Sequence, residues 1–529
     1  MFEERGLAVV TGGASSLSVG TSLSARVWPD YPMTSDRSRG WLRYLFRKAT
    51  TPDSWDKDGR PHPHWDDVTG APTTSWQRFD LLKSCYALPL LCDRTPAWRE
   101  VYGRILDELI TRYTGYWTAR DWLEQIGEDP KRKQYPQEYY DTWIPKSLWG
   151  NYDVPGWTAN GIEPWGLQMD PVGADGNLFF KGDFLILLGF YVYVTGDQKW
   201  NRPFKIVRNG PDTFAWTYSG IAHYLFTQLS RHPEGCHCEN TKIWPLCMSR
   251  AGLGLALHDM LYRSTYRTAF DIFWEYARQN YLSLRSGKVV GPVTAYYDPI
   301  LSFHQTGEHI PLMKIAPAQA VLPLYRDDAR ALFDAEMELL KWRELPIGAG
   351  ERKFNPTEVH QAHLLAQEFG EDELSAKLAE FSDARFGPTW DFATSEFTWR
   401  FGLNEEHPRG QLNATAAMAE AGGREAWWGI VNRPNRTKFA EPTVYGVDFP
   451  KVCLSQAVYD PSAAQLVIAT DEGVPAHRGE PTTFRIANVV PEHCTVEIDG
   501  SVSGNWQIVG SEIEVSTTIG SHAVVVRCA

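Results

Sequence analysis

Cationic runs are missing from this sequence. No stretch of Lys and Arg exceeds two or three residues, and 52 basic residues face 65 acidic ones, for a net charge of −13. Neutralising phosphates requires clustered Lys and Arg, so nucleic acid is excluded as a partner. The pattern of a secretory leader is missing too: MFEERGLAVVTGGASS sets acidic residues before a short apolar stretch, without the positive flank and apolar core of such a signal. Long apolar runs are lacking as well, since the strongest, FLILLGFYVYV at 184 to 194, is too short to span a bilayer. We therefore expect a soluble, cytoplasmic protein with no membrane span and with mostly reduced thiols. The glycosylation sequons at Asn413 and Asn435 would matter only in a secreted chain.

What is present is a globular composition, 43% apolar and 22% charged, without low-complexity tracts or internal repeats. At 529 residues the chain exceeds the size at which one core keeps growing, which predicts two or three structural units. Residues 1–72, rich in Pro, Gly, Ser, Asp and Trp, read as an irregular N-terminal extension with one short helix near GWLRYLFRK. From 73 to 438 helical periods alternate with Gly, Pro and Asp punctuation. Helices apolar on every face, such as FLILLGFYVYV, alternate with amphipathic ones such as EDELSAKLAEF, the pattern of a buried inner ring inside a half-exposed outer one. Beyond 439 the period switches to two, in short segments such as AAQLVIAT, TTFRIANV and HAVVVRC. The expected fold is mainly α: an (α/α)6 barrel, or α-toroid, over 73–438, followed by a small antiparallel β-sandwich at 439–529.

Cysteine is scarce, at 8 in the chain, yet Cys236, Cys238 and Cys247 crowd into EGCHCENTKIWPLCMSR. A zinc site usually shows two closely spaced ligand pairs, and this spacing does not. Buried structural thiols are the plain alternative. Against it stand the neighbours: Cys238 precedes Glu239 and Asn240 in a loop, and Cys247 sits at the start of a buried helix, where the helix dipole favours a thiolate. Two thiols in different environments can act as acid and base across one substrate.

These residues, in this order, resemble the linalool dehydratase-isomerase family. NLFFKGDFLILLGFYVYVTGDQKW is similar to that family's buried inner helix, entered by a Lys-Gly-His step, and a Cys-Glu dipeptide with a second Cys nine residues on follows after a spacer. YYDPILS, TEVHQAHLLAQEFGEDELSAKL and FGLNEEHPRGQLNATAAMAEAGG continue the likeness to about residue 435. The resemblance implies an (α/α)6 barrel and cofactor-free proton transfer on an allylic terpene alcohol in an apolar cavity. It places the paired cysteines on Cys238 and Cys247, the flanking glutamate on Glu239 and a pocket tyrosine on Tyr297. The histidine of the Lys-Gly-His step is Asp183 here, after Lys181 and Gly182, so that role passes to a carboxylate or vanishes. No counterpart of the family's N-terminal Asp and Tyr aligns within DSWDKDGRPHPHWDD, and the β-domain and the insertion IGEDPKRKQYPQEYYDTWIPKSLWGNYDVPGWTANGIEPWG are additions.

Other features have plainer readings. Asp183 at a helix mouth suits a cap, although desolvation in an apolar cavity would raise its pKa and make it a general acid. Trp244 and Tyr297 offer aromatic faces to a developing carbocation, or to a sugar ring. HWDD and EEHPRG hold adjacent carboxylates that point apart, unlike a glycosidase pair, and GLGLA reads as helix packing. The expected catalytic set is Cys238, Cys247, Asp183 and Tyr297, with Glu239, Asn240, Trp244 and Lys181 contacting substrate. The expected activity is a lyase or isomerase on a small hydrophobic, terpenoid-like substrate, with no cofactor and no metal. The family can assemble into rings, which leaves a homo-oligomer open. The rival is a carbohydrate-active enzyme on the same toroid-plus-sandwich scaffold, with an open polar groove, and a weaker third reading is a binding scaffold.

Overall fold

The computed structural model describes residues 28–52, 64–65, 77–115, 162–163, 166–167, 170–174, 178–209, 212–238, 242–299, 302–307, 312–349, 354–403 and 407–528. Most of the N-terminal extension and of the insertion before residue 166 lies outside these residues.

The helical part is built from pairs. One set comprises α1 (Asp36–Thr50), α4 (Glu100–Thr114), α6 (Tyr218–Arg231), α8 (Arg267–Asn280), α10 (Arg326–Leu340) and α12 (Asp372–Arg385). The other comprises α2 (Gln77–Lys83) with α3 (Ala87–Arg94), α5 (Leu178–Thr195), α7 (Pro245–Tyr262), α9 (Ile315–Val321), α11 (Pro356–Phe369) and α13 (Gly410–Ala421). The second set packs in a cycle: α5 on α7, α7 on α9, α9 on α11, α11 on α13, and α13 back on α2 and α3, which meet α5. The first set lies against it, α4 on α5, α8 on α7, α10 on α9 and α12 on α11, with α1 against α13. A short α14 (Ala426–Asn432) follows.

Sequence explains which set is which. In α5 every residue from Leu178 to Val194 is buried, as expected of a helix apolar on all sides. In α4 the buried residues Val101, Tyr102, Ile105, Leu106, Leu109, Ile110 and Tyr113 keep the spacing of a single helical face. Caps set the ends: the Asn355 side chain accepts from the Thr357 N–H at 2.8 Å, Pro356 opens α11, and Gly370 closes it in the left-handed region at φ 70°. The contact of α5 with α7 is backbone-close. A Cβ at Gly254 would stand 2.7 Å from the Leu185 Cβ, and one at Gly182 would stand 3.1 Å from the Ala251 Cβ. GLGLA is thus a packing surface, as its sequence suggested.

Helix α5 is also, among the described residues, the one helix long and apolar enough to cross a membrane, yet 94% of it is buried within the fold.

The C-terminal residues form two antiparallel sheets. Thr443–Tyr445, Pro481–Ala487, Glu512–Thr518 and Trp506–Val509 make one, in that spatial order. Val452–Asp460, Gln465–Glu472, Ala523–Cys528, Cys494–Ile498 and Ser501–Val502 make the other. Strand Val452–Asp460 escapes a search for alternation because its first six residues are all buried. The helical part covers the strand: the Ala97 N–H donates to the Ala457 carbonyl at 3.1 Å, and the Thr34 N–H donates to that of Ser455 at 3.0 Å. The expectation of mostly reduced thiols holds, with one pair as the exception. Cys494 and Cys528 face each other across neighbouring strands and are joined in a disulfide, while the other six cysteines are free and buried. Only strand pairing reveals that partnership, since 34 residues separate the two in sequence.

Two measurements test this packing. Gly254→Ala should destabilise the protein by on the order of 1–3 kcal/mol in chemical denaturation, through overpacking against Leu185. Gly429→Ala, in α14 with nothing within 4 Å of the new methyl, should stabilise it by about 0.5–1 kcal/mol. The second test concerns His258 near the end of α7, whose ring nitrogens hydrogen-bond Ser264 and Ser219 at 2.7 and 3.0 Å. Burial pushes His258 from 6.5 down to about 4, against an opposing pull from Asp259. Between those values the unfolded chain binds the extra proton, so stability falls as the pH drops from 6.5 towards 4. The melting temperature of His258→Gln should fall less steeply across that window than that of the unsubstituted protein.

Candidate active site

The cysteine segment is pinned at three points. The Cys236 N–H donates to the Met248 Sδ at 3.4 Å, which ties that cysteine to the body of α7. Cys238 and Lys242 exchange backbone hydrogen bonds at 2.6 and 3.2 Å, and the candidates Glu239 and Asn240 fall between them in sequence. Those two candidates lie outside the described residues. Ile243 then pairs with Tyr297 of strand Thr294–Asp298, at 2.8 and 2.9 Å. Beside this bridge the Lys242 Nζ sits 3.1 Å from the Asp298 carboxylate, both side chains buried. Pro245 opens α7, and Cys247 falls in its first turn, buried, as the sequence led us to expect.

Asp183, in the second turn of α5, is fully buried, and its carboxylate stands 3.5 Å from the Arg250 guanidinium of α7. Burial works against the charge of Arg250. The negative charge of Asp183 outweighs it and, with smaller contributions from Tyr86, Cys247 and Cys238, holds the guanidinium above its ordinary value. Arg250 is thus the group around which Asp183, Cys238 and Cys247 gather. An adjacent guanidinium favours the carboxylate and opposes desolvation, which works against the expectation that an apolar pocket makes Asp183 a general acid.

Around this centre stand groups absent from the sequence reading. Lys83 at the end of α2 is buried, and burial, with the charge of Arg250 added and Asp183 opposing, pushes its ammonium well below the usual lysine range. Cys85 is pushed up by burial and then by Asp183, and Tyr86 is also held high, chiefly by burial. His360 in the second turn of α11 packs against Phe386, Trp399 and Phe401 with ring centroids at 5.4, 5.0 and 5.8 Å. Burial, then His363 and Lys83, push its pKa well down.

Other candidates are placed differently. Lys181 lies two positions from Asp183, roughly 200° around the helix, and faces outwards. Its Nζ donates to the Ala174 carbonyl at 2.6 Å and to the Gln228 Oε1 of α6 at 2.9 Å. The Tyr297 ring stacks on His304 at 4.4 Å and on Tyr281 at 5.9 Å. Strand alternation turns its neighbour Tyr296 the other way, against Trp244 at 5.0 Å. A lone cation in the otherwise apolar PLCMSRAGLGLA was the available signal for Arg250, and LLKSCYALPLL held the same signal for Lys83. Among the described residues no three of His, Cys, Asp and Glu are grouped to hold a metal ion.

A family model described as linalool dehydratase/isomerase matches residues 118–397, which include Asp183, Cys238, Cys247, Arg250 and His360. No curated protein matches by sequence. Among solved structures, a GH127 β-L-arabinofuranosidase from Geobacillus stearothermophilus T6 is similar at 10% identity and a TM-score of 0.26, covering 93% of this chain and 76% of that one. A second GH127 β-arabinofuranosidase is similar at 9% identity and a TM-score of 0.24, covering 93% and 77%.

The loop geometry has a direct test. Asp298→Ala leaves Lys242 without that counter-ion and should cost on the order of 3 kcal/mol. It should also free the Cys238 loop, so that mass-mapped alkylation of native protein labels Cys238 faster while Cys85 and Cys92 stay slow.

Proposed function

Because the chain belongs to the linalool dehydratase/isomerase family, we propose that it is a lyase or isomerase moving protons on a small hydrophobic, terpenoid-like substrate through Cys238, Cys247 and Asp183. The cycle of paired helices serves as the (α/α)6 barrel that encloses this site. What supports the reading is that two buried thiols, one from the Cys238 segment and one from the first turn of α7, both act electrostatically on Arg250, which stands 3.5 Å from Asp183.

The chemistry needs a proton donor and a proton acceptor on one substrate. In a dehydration, one thiol gives its proton to the hydroxyl oxygen and the C–O bond breaks with loss of water. The second thiol, as thiolate, or Asp183 takes a proton from the neighbouring carbon, and that C–H pair becomes the new double bond. In an isomerisation the first proton goes to an alkene carbon instead. Neither route changes oxidation state overall, so the residues named suffice without a cofactor. Arg250 steadies the negative charge that passes between Asp183 and the thiols. Tyr297 acts by position, since its backbone fixes the strand on which the Cys238 loop rests, and Trp244 with Tyr296 offers aromatic faces to positive charge on carbon.

Incubating the purified protein with allylic terpene alcohols and, separately, with oligosaccharides tests the reading. Turnover of an alcohol should fall by about 10²-fold or more in Cys238→Ala and in Cys247→Ala, as for loss of a general acid or base. Full turnover by both variants, or turnover of oligosaccharides alone, would sink it.

A further inference from the structure

We infer that the substrate of this site carries an anionic head group, a carboxylate or a phosphate ester, seated between Lys83 and Arg250. The inference rests on the site proposed above and adds the ligand's class to it.

Two basic side chains meet one carboxylate here. Lys83 from α2 and Arg250 from α7 act on each other, and among the described residues Asp183 is the carboxylate that acts on both. Asp183 is already engaged, 3.5 Å from Arg250. Lys83 is 2% exposed and, among the described residues, makes no hydrogen bond or ion pair. On the α11 side the Nε2 of His360 likewise has no described partner. Buried cations are kept where something pairs them. A neutral alcohol would leave this imbalance as it is. An anion would complete it, accepting from the Arg250 fork on one side and from the Lys83 ammonium on the other.

Such binding has a proton signature. The groups that face Lys83 are Arg250 from α7, Asp183 from α5, His360 from α11, and Cys85 and Tyr86 just beyond α2. Burial keeps Cys85 and Tyr86 protonated and His360 neutral, which leaves Lys83 as the group that changes state. Burial favours the unprotonated amine in the free protein. When an anion arrives, it favours the ammonium instead, and the proton comes from solvent.

Calorimetry of the full chain at pH 7, in two buffers of different ionisation enthalpy, reads both effects. The probes are geraniol, geranic acid and geranyl diphosphate, so the two anions separate a carboxylate head from a phosphate one. At least one anion should bind about tenfold or more tighter than the alcohol. It should do so with net uptake of protons. Lys83→Met should fold normally, since an unpaired buried amine gives way to an apolar chain of similar shape, and should lose both the preference and the uptake. Lys83→Arg, permanently charged, should keep the preference and lose the uptake. Equal binding of all three probes, or anion binding by the unsubstituted protein without proton uptake, would overturn the inference. If only geraniol binds and is turned over, the anionic head is wrong and the lyase or isomerase reading stands. If none of the three binds, both fail.

Discussion

Everything in the site depends on how closely α5 and α7 lie. Gly182 and Gly254 let the two backbones approach within a distance that a single methyl would spoil. That approach brings Asp183 of one helix beside Arg250 of the other in a region stripped of water. With larger residues at the contact, the ion pair would open and its two charges would each be buried alone. Close packing and electrostatics are therefore a single constraint here. The helices can touch only if their charges agree, and the charges agree only because the helices touch.

The pair then organises its neighbours. Cys247 sits one turn before Arg250 on the same helix, so α7 alone sets their spacing. Cys238 arrives from a separate direction, on a loop held by its bonds to Lys242 and by the bridge of Ile243 to Tyr297. A rigid helix supplies one thiol and a pinned loop the other, which suits two groups that must take opposite parts in a proton transfer. The amine of Lys83 has no such partner among the described residues, and that asymmetry separates the ligand side of the site from its structural side.

Much of this was legible from the chain, for identifiable reasons. A helix apolar on every side, such as FLILLGFYVYV, has nowhere to go except a core, and Pro245 announces the helix start that places Cys247. What stayed hidden depends on contacts between distant segments. Lys181 looked like a companion of Asp183 because the two are adjacent in text, while helical geometry puts them on opposite sides. Tyr297 and Tyr296 are indistinguishable until the strand's facing is known. Arg250 was overlooked because its meaning lies in Asp183, which precedes it by 67 positions. The strand Val452–Asp460 lost its alternating signature when the helical part covered its second face.

That doubly covered strand reaches beyond folding. A strand exposed on one side belongs to a unit that can be lifted out, transplanted or lost by gene rearrangement. Here the sheet and the helical part share hydrogen bonds through Ala97 with Ala457 and through Thr34 with Ser455, and each seals the apolar surface of the other. The C-terminal sheets are thus bonded into the helical part rather than merely tethered beside it. A descendant that shed them would have to rebuild the wall of its own helices.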